Sequence, residues 1–336
     1  MTDVAPAPAP AAPVLTGPLV VRSPNWLGDA IMALPAVRNL KTLLAGQPLV
    51  VATPEKLAAL WQACPFVDEV IALPQPKRIG VVAGQLREGK FGAAVLLPNS
   101  LRVALEAWRA GIPQRIGYAS GGRGMFLTRK IPVPPRNPAR LHQKFYYLDL
   151  AAALGAPTDA TLPELRRAAP ASTDQPATIS FALCPGAEYG PAKCWPLPSF
   201  VEVGKALAEH GRVMILGAAG DAARAAQLAE LLPGSVNRAG QTTLAEFMAE
   251  LETSSLVVSN DSGAMHLASA LGVPTVAIFG STEPALTGPL GTRTAILRHH
   301  VPCSPCFLRE CPLDFACMNS ITPAMVLAAA GKLLAV

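Results

Sequence analysis

The chain has 336 residues, 51% of them hydrophobic and 5% aromatic, with a formal net charge of +5. That length fits two domains of about 100 to 200 residues, each large enough to bury a core, and argues against a disulfide-stapled miniature. The low aromatic content, together with the lack of a recognisable nucleic-acid module, disfavours a nucleic-acid binder.

The first residues, 1–16, include the run PAPAPAAPV at 6–14 and read as an extended Pro/Ala tail outside the fold. After it, LVVRS at 19–23 predicts a strand, a helix is predicted from about Ala30 to Leu44, and further strands are predicted at PLVVAT 48–53 and AAVLLP 93–98. Gly84 to Lys90 matches a phosphate-loop pattern, but Phe91 stands where Ser or Thr is needed. The stretch also follows a helical pattern and precedes a strand, so it reads as a helix C-terminus. Pro, Ala, Ser and Thr dominate 157–177, the composition of a linker, and divide the chain into domains at 17–170 and 171–336. The second half repeats the alternation with TISFALCPG 178–186, RVMILG 212–217, LVVSND 256–261 and TVAIFG 275–280. The predicted fold class is α/β: two mostly parallel, Rossmann-like sheets facing each other across a cleft, with ligands beyond the carboxyl ends of the strands.

Charge differs between these halves. Residues 1–170 hold 19 Lys+Arg against 10 Asp+Glu, near +9, and residues 171–336 hold 9 against 13, near −4. Thirteen basic residues but only Glu88 and Glu106 on the acidic side lie between Lys77 and Lys144, a field suited to an anionic partner. A phosphorylated or carboxylated glycolipid at a membrane surface is the expected one. No apolar run approaches the roughly 18 to 20 residues of a membrane span, and no basic-then-apolar leader is read, which predicts a cytoplasmic location. Seven cysteines, an odd number, are expected to be reduced thiols.

Three loops after strands carry candidate chemistry. Asn260-Asp261-Ser262-Gly263-Ala264-Met265-His266 ends a strand and opens a helix, where free N–H groups and the dipole suit a diphosphate. Plain N-capping by Asp261 or Ser262, and a structural His266, fit the same residues. In the Gly/Pro-rich loop 185–196, Lys193 stands either as a phosphate ligand or as a solvated loop lysine. Asp29, in the loop Ser23–Asp29, is placed to take a proton from an acceptor hydroxyl, or to interact with the dipole at a helix start. No G-x-G-x-x-G occurs, against a dinucleotide oxidoreductase, and no Asp-x-Asp pair occurs to hold a metal on a diphosphate. Side chains and helix dipoles are left to neutralise the leaving group. Cys303, Cys306, Cys311 and Cys317 fall outside the usual paired zinc spacings and read as packing thiols or a weak structural site.

PNWLGDAIMALPAVRNLK at 24–41, LLPNSLRVAL at 96–105, AGIPQRIGY at 110–118, CPGAEYGPAKCWP at 184–196, SNDSGAMHLASALGVPTVAIFGSTEP at 259–284 and the cysteine run together resemble the bacterial lipopolysaccharide heptosyltransferases. NWLGD and PGAEYGPAK resemble the members that add the second heptose, whereas NDSG-x2-H is shared with types I and III. The resemblance implies a GT-B fold, whose last helix can pack back on the first domain, and an ADP-heptose donor used without metal or cofactor. The implied acceptor is the inner-core heptose of Kdo-lipid A, glycosylated with inversion at the cytoplasmic face of the inner membrane. It assigns Asp29 as general base, Lys193 as diphosphate ligand, and Asp261, Ser262, Gly263 and His266 to the donor site. Asp221 is implied at the donor ribose or adenine. Glu188, with Tyr189, occupies donor-loop positions where related members carry hydroxyl residues. Asn25, Arg102, Arg115 and Arg123 would meet the anionic acceptor. Other expectations are a nucleotide-sugar epimerase or hydrolase on the same scaffold, and a non-catalytic nucleotide or glycolipid binder.

Overall fold

The computed structural model describes residue 15 and residues 17–76, 78–135, 137–166 and 179–335. Most of the Pro/Ala tail, Lys77 and the 167–177 part of the linker lie outside the described residues. The first half contains strands β1 (Leu19–Arg22), β2 (Leu49–Pro54), β3 (Glu69–Leu73), β4 (Ala93–Leu96), β5 (Gln114–Tyr118) and β6 (Arg129–Ile131). Its helices are α1 (Leu27–Lys41), α2 (Ala58–Gln62), α3 (Ile79–Glu88), α4 (Leu101–Arg109) and α5 (Gln143–Ala152). The second half supplies β7 (Ser180–Cys184), β8 (Arg212–Ile215), β9 (Val236–Asn237), β10 (Leu256–Asn260), β11 (Thr275–Phe279) and β12 (Thr294–Arg298). Its helices are α6 (Leu197–Ala208), α7 (Ala222–Leu231), α8 (Leu244–Glu252), α9 (Gly263–Ala270), α10 (Pro284–Thr287), α11 (Ala316–Asn319) and α12 (Pro323–Leu334).

The strands form two six-stranded sheets, ordered β3-β2-β1-β4-β5-β6 and β12-β11-β10-β7-β8-β9, with every pair parallel. Helices cover both faces of the central strands, so β1, β4, β7 and β10 are buried along their whole length and read as apolar runs with polar residues only at their ends, Arg22, Ser180 and Ser259-Asn260. In each sheet the chain order reverses between two of these buried strands, β1 and β4 in the first and β7 and β10 in the second. At such a reversal neighbouring crossovers diverge, which opens a crevice at the carboxyl ends.

The halves touch through apolar helices: α1 packs on α9, and α2 on α8. One buried cluster runs from Ile31 and Leu34 of α1, through Leu60 and Trp61 of α2, to Phe247, Leu267 and Val257 of the second half. The last helix differs from its expected place. Thr322 caps α12 by accepting from Met325 N at 3.3 Å, and its buried stripe of Val326, Ala329 and Ala330 joins the second core against α6, β11 and β12. That stripe finds an apolar partner on its own sheet, so α12 stays with the second half.

Candidate active site

Two loops of the second half are tied together at the β7/β10 crevice. Asn260, fully buried at the end of β10, accepts at Oδ1 from Trp195 N (3.0 Å) and donates from Nδ2 to Pro185 O (2.7 Å). Trp195 is itself fully buried, its indole donating to Ile321 O at 2.8 Å. The loop between these anchors turns through Pro191–Lys193, where Ala192 N donates to Arg309 O at 3.0 Å. The turn delivers Lys193 Nζ to 2.5 Å from Asp261 Oδ2, with side chains only 13% and 4% exposed. Thr282 Oγ1 donates to the same carboxylate oxygen at 2.6 Å, and the Lys193 ammonium lies 4.9 Å from the centre of the Tyr189 ring.

Asp261 is therefore engaged with Lys193 rather than capping α9. Ser262 is the N-cap residue, but its side chain makes no bond to the first turn; its Oγ lies 3.2 Å from Ser259 Oγ instead. The N–H groups of that turn keep their capacity for an anion, beside a cation held in place. Gly186, in the loop after β7, is where Asp221 crosses: a Cβ there would lie 2.0 Å from the Asp221 carboxyl. Asp221 also accepts from Ala218 N at 2.9 Å, and burial raises its pKa. Glu188 reaches the first half, 3.5 Å from Lys56 Nζ, an exposed pair of little energetic weight.

Across the crevice, the loop after β1 leads into α1, whose first turn carries Asp29. Tyr147 OH donates to Asp29 Oδ1 at 3.3 Å. Burial raises the Asp29 pKa, opposed by that hydrogen bond and by the positive charge of Lys193, which acts on Asp29 from the other half. The halves meet closely here. A Cβ on Gly28 would lie 2.8 Å from His266 Cδ2, so only glycine allows this approach, and Gly263 lies against Leu27. His266 is buried, with its pKa pushed down to about 4 by desolvation, so the imidazole is neutral at physiological pH. Its Nδ1 has no protein hydrogen-bond partner among the described residues.

The expected acceptor residues separate into two groups. Asn25 Oδ1 accepts from Arg22 Nη2 at 3.4 Å. Arg102, with its side chain 48% exposed, lies 3.8 Å from Glu106, which is also 3.8 Å from the buried Arg22. Burial pushes the Arg22 pKa down to about 10. Arg115 and Arg123, by contrast, are engaged with loop carbonyls and side chains. Arg115 donates from Nε to Phe126 O (2.6 Å) and from Nη1 to Ile112 O (2.5 Å). Arg123 is fully buried and donates to Tyr118 O (2.8 Å), Pro98 O and Asn99 Oδ1 (3.1 Å). Basic composition alone did not distinguish a guanidinium satisfying loop carbonyls from one offered to a ligand.

Thr282 and Tyr147 were given no role from sequence, and Asn260 was named only as the start of the 260–266 segment. Only Asn260 carried a signal, as a polar residue closing an apolar strand. The four clustered cysteines are free thiols, with Ala192 on the wall of the small cavity of about 20 Å³ that they line. No group of three metal-ligating side chains suited to an ion occurs among the described residues.

Residues 80–316 match the family model for glycosyltransferase family 9 (heptosyltransferase). The chain is 30% identical over 310 residues to lipopolysaccharide heptosyltransferase 2 of Salmonella typhimurium strain LT2, covering 83% of this chain and 87% of that protein. The same-named protein of Escherichia coli K12 is 30% identical over 313 residues, with the same coverage. The solved structure of E. coli ADP-heptose lps heptosyltransferase II superposes with a TM-score of 0.80 at 27% identity, covering 95% of this chain and 98% of that one. The chain belongs to glycosyltransferase family 9, the heptosyltransferase family, and is a glycosyltransferase of GT-B fold.

The two groups of arginines are separable by stability. Arg123→Ala should lower the free energy of unfolding by at least about 2 kcal/mol, since three acceptors lose a charged donor. Arg102→Ala should stay within about 0.5 kcal/mol of wild type. Urea denaturation of both variants checks this.

Proposed function

We propose that the protein moves a heptose from ADP-heptose onto the inner-core heptose of an anionic Kdo-lipid A precursor, with inversion and without a metal. The observation that carries the reading is the Lys193–Asp261 pair facing Asp29 across the crevice. In the proposed step, Asp29 accepts the proton of the attacking acceptor hydroxyl. The hydroxyl oxygen bonds to the anomeric carbon as the bond from that carbon to the diphosphate breaks, and ADP leaves. Lys193 and the first-turn N–H groups of α9 meet the charge that grows on the diphosphate. Asp221 and Glu188 border the same loop and are proposed to contact the nucleoside end of the donor, with Ser262, Gly263 and His266 on the diphosphate and sugar side.

Asn25 and Arg102 are the proposed acceptor contacts. Trp26, Leu101 and Met125 are 46%, 47% and 76% exposed, and each lies in the loop or at the helix start after β1, β4 or β5, on the rim of the basic half. Apolar tips among cations suit a lipid surface, which supports a peripheral position on the cytoplasmic face of the inner membrane. No helix among the described residues is long and apolar enough to cross a membrane.

The test is mass spectrometry of a heptosyl-Kdo-lipid A acceptor incubated with ADP-heptose, with and without chelator. A mass gain of one heptose that is insensitive to chelator is expected; donor consumed with no acceptor present would indicate an epimerase or hydrolase instead. Asp29→Ala should reduce turnover by about 10² to 10⁴, the contribution of a general base. In the wild type, turnover requires ionised Asp29, whose pKa lies above the unperturbed 3.8. The acid limb of kcat/KM should accordingly fall above that value, with activity lost as pH drops through it. A limb that persists in Asp29→Ala would assign the titration to another group.

A further inference from the structure

Asp29 does not set its own orientation. Tyr147, on α5 and 5% exposed, donates its hydroxyl to Asp29 Oδ1 from 118 positions along the chain, and α5 packs along α1. We propose that Tyr147 is a positioning residue for transfer: its hydroxyl holds the Asp29 carboxylate in the rotamer that serves the acceptor and favours the ionised, proton-accepting form. This rests on the reading of Asp29 as base.

The hydroxyl suits that task because it stays a donor. Burial first, and then the negative charge of Asp29, raise the Tyr147 pKa above its ordinary value, so the phenol keeps its proton throughout the working range. The charged and titratable groups that bear on Asp29 are Tyr147 from α5 and Lys193 from the Pro191–Lys193 turn, with neutral His266 beyond Gly28. Tyr147 also has Gln143 and Tyr146 beside it on its own helix. A phenol fixed in a core constrains direction as well as charge, which a mobile water does not.

The helix that carries Tyr147 is itself registered to the opposite half. His142 caps α5 by accepting at Nδ1 from Lys144 N (3.1 Å). An accepting Nδ1 assigns the proton to Nε2, which lies 2.8 Å from Gly288 O of the second half and donates to it. Tyr118 OH donates to Tyr146 O at 2.7 Å and fixes the same helix from β5. The placement of the base is thereby linked to contact between the halves.

The experiment compares wild type with Tyr147→Phe, which keeps the ring in the core, and monitors thermal unfolding to confirm that the fold is retained. The Asp29 carboxyl is titrated by ¹³C NMR, its resonance assigned by its loss in Asp29→Asn, and the pH profile of heptosyl transfer is measured. Loss of a hydrogen bond to the charged form should move the Asp29 midpoint and the acid limb of kcat upward together. Turnover should fall about tenfold while KM for ADP-heptose stays within about twofold. An unmoved midpoint, a moved midpoint with unchanged kcat, or an equal loss at every pH overturns the proposal. Normal turnover in Asp29→Asn would instead refute the base reading, and the NMR comparison between wild type and Tyr147→Phe would stand apart from it.

Discussion

A lysine ammonium and an aspartate carboxylate 2.5 Å apart, both largely removed from water, are tolerable only because each compensates the other. Thr282 adds a hydrogen bond to Asp261, so the carboxylate is well satisfied while the ammonium retains further donors. Such a pair fixes a positive charge in space without leaving it bare. A flexible lysine in solvent would have to be ordered at the moment of binding; this one is ordered beforehand, beside the start of α9. The arrangement is suited to an anion whose charge increases during reaction.

The fold explains why a cation of the negative half and a carboxylate of the positive half come together. Each sheet reverses its strand order at a buried central pair, and each crevice opens at carboxyl ends. Contact of α1 with α9 sets the two crevices against each other, with Gly28 against His266 and Gly263 against Leu27. Each contact sets a glycine against a side chain of the other half, where a Cβ would crowd the His266 ring or the Leu27 side chain. His142 to Gly288 O adds a polar tie where the apolar interface ends.

Much of this was legible in the chain. The central strands announced themselves because burial on both faces demands apolar residues along most of their length. Edge strands such as β3 and β12, with exposed and half-exposed positions, and β9, with two residues, carry no such pattern. Asp29, Lys193 and Asp261 could be named because loops after central strands are where an open sheet binds ligands. The carbonyls that the Arg115 and Arg123 guanidinium groups meet were not legible, because sequence records charge but not its partners. Tyr147 could not be found at all: its hydrogen bond spans 118 residues, and its helix looks like any core helix.

The central claim is a division of labour across the crevice, binding by Lys193 and chemistry by Asp29, and calorimetry of ADP binding separates the two most directly. Lys193→Ala, checked for retention of the fold, should weaken ADP binding by at least about tenfold, the loss of a charge-assisted contact. Asp29→Ala should bind ADP as the wild type does. Wild-type affinity in Lys193→Ala, or loss of affinity in Asp29→Ala, would contradict the account.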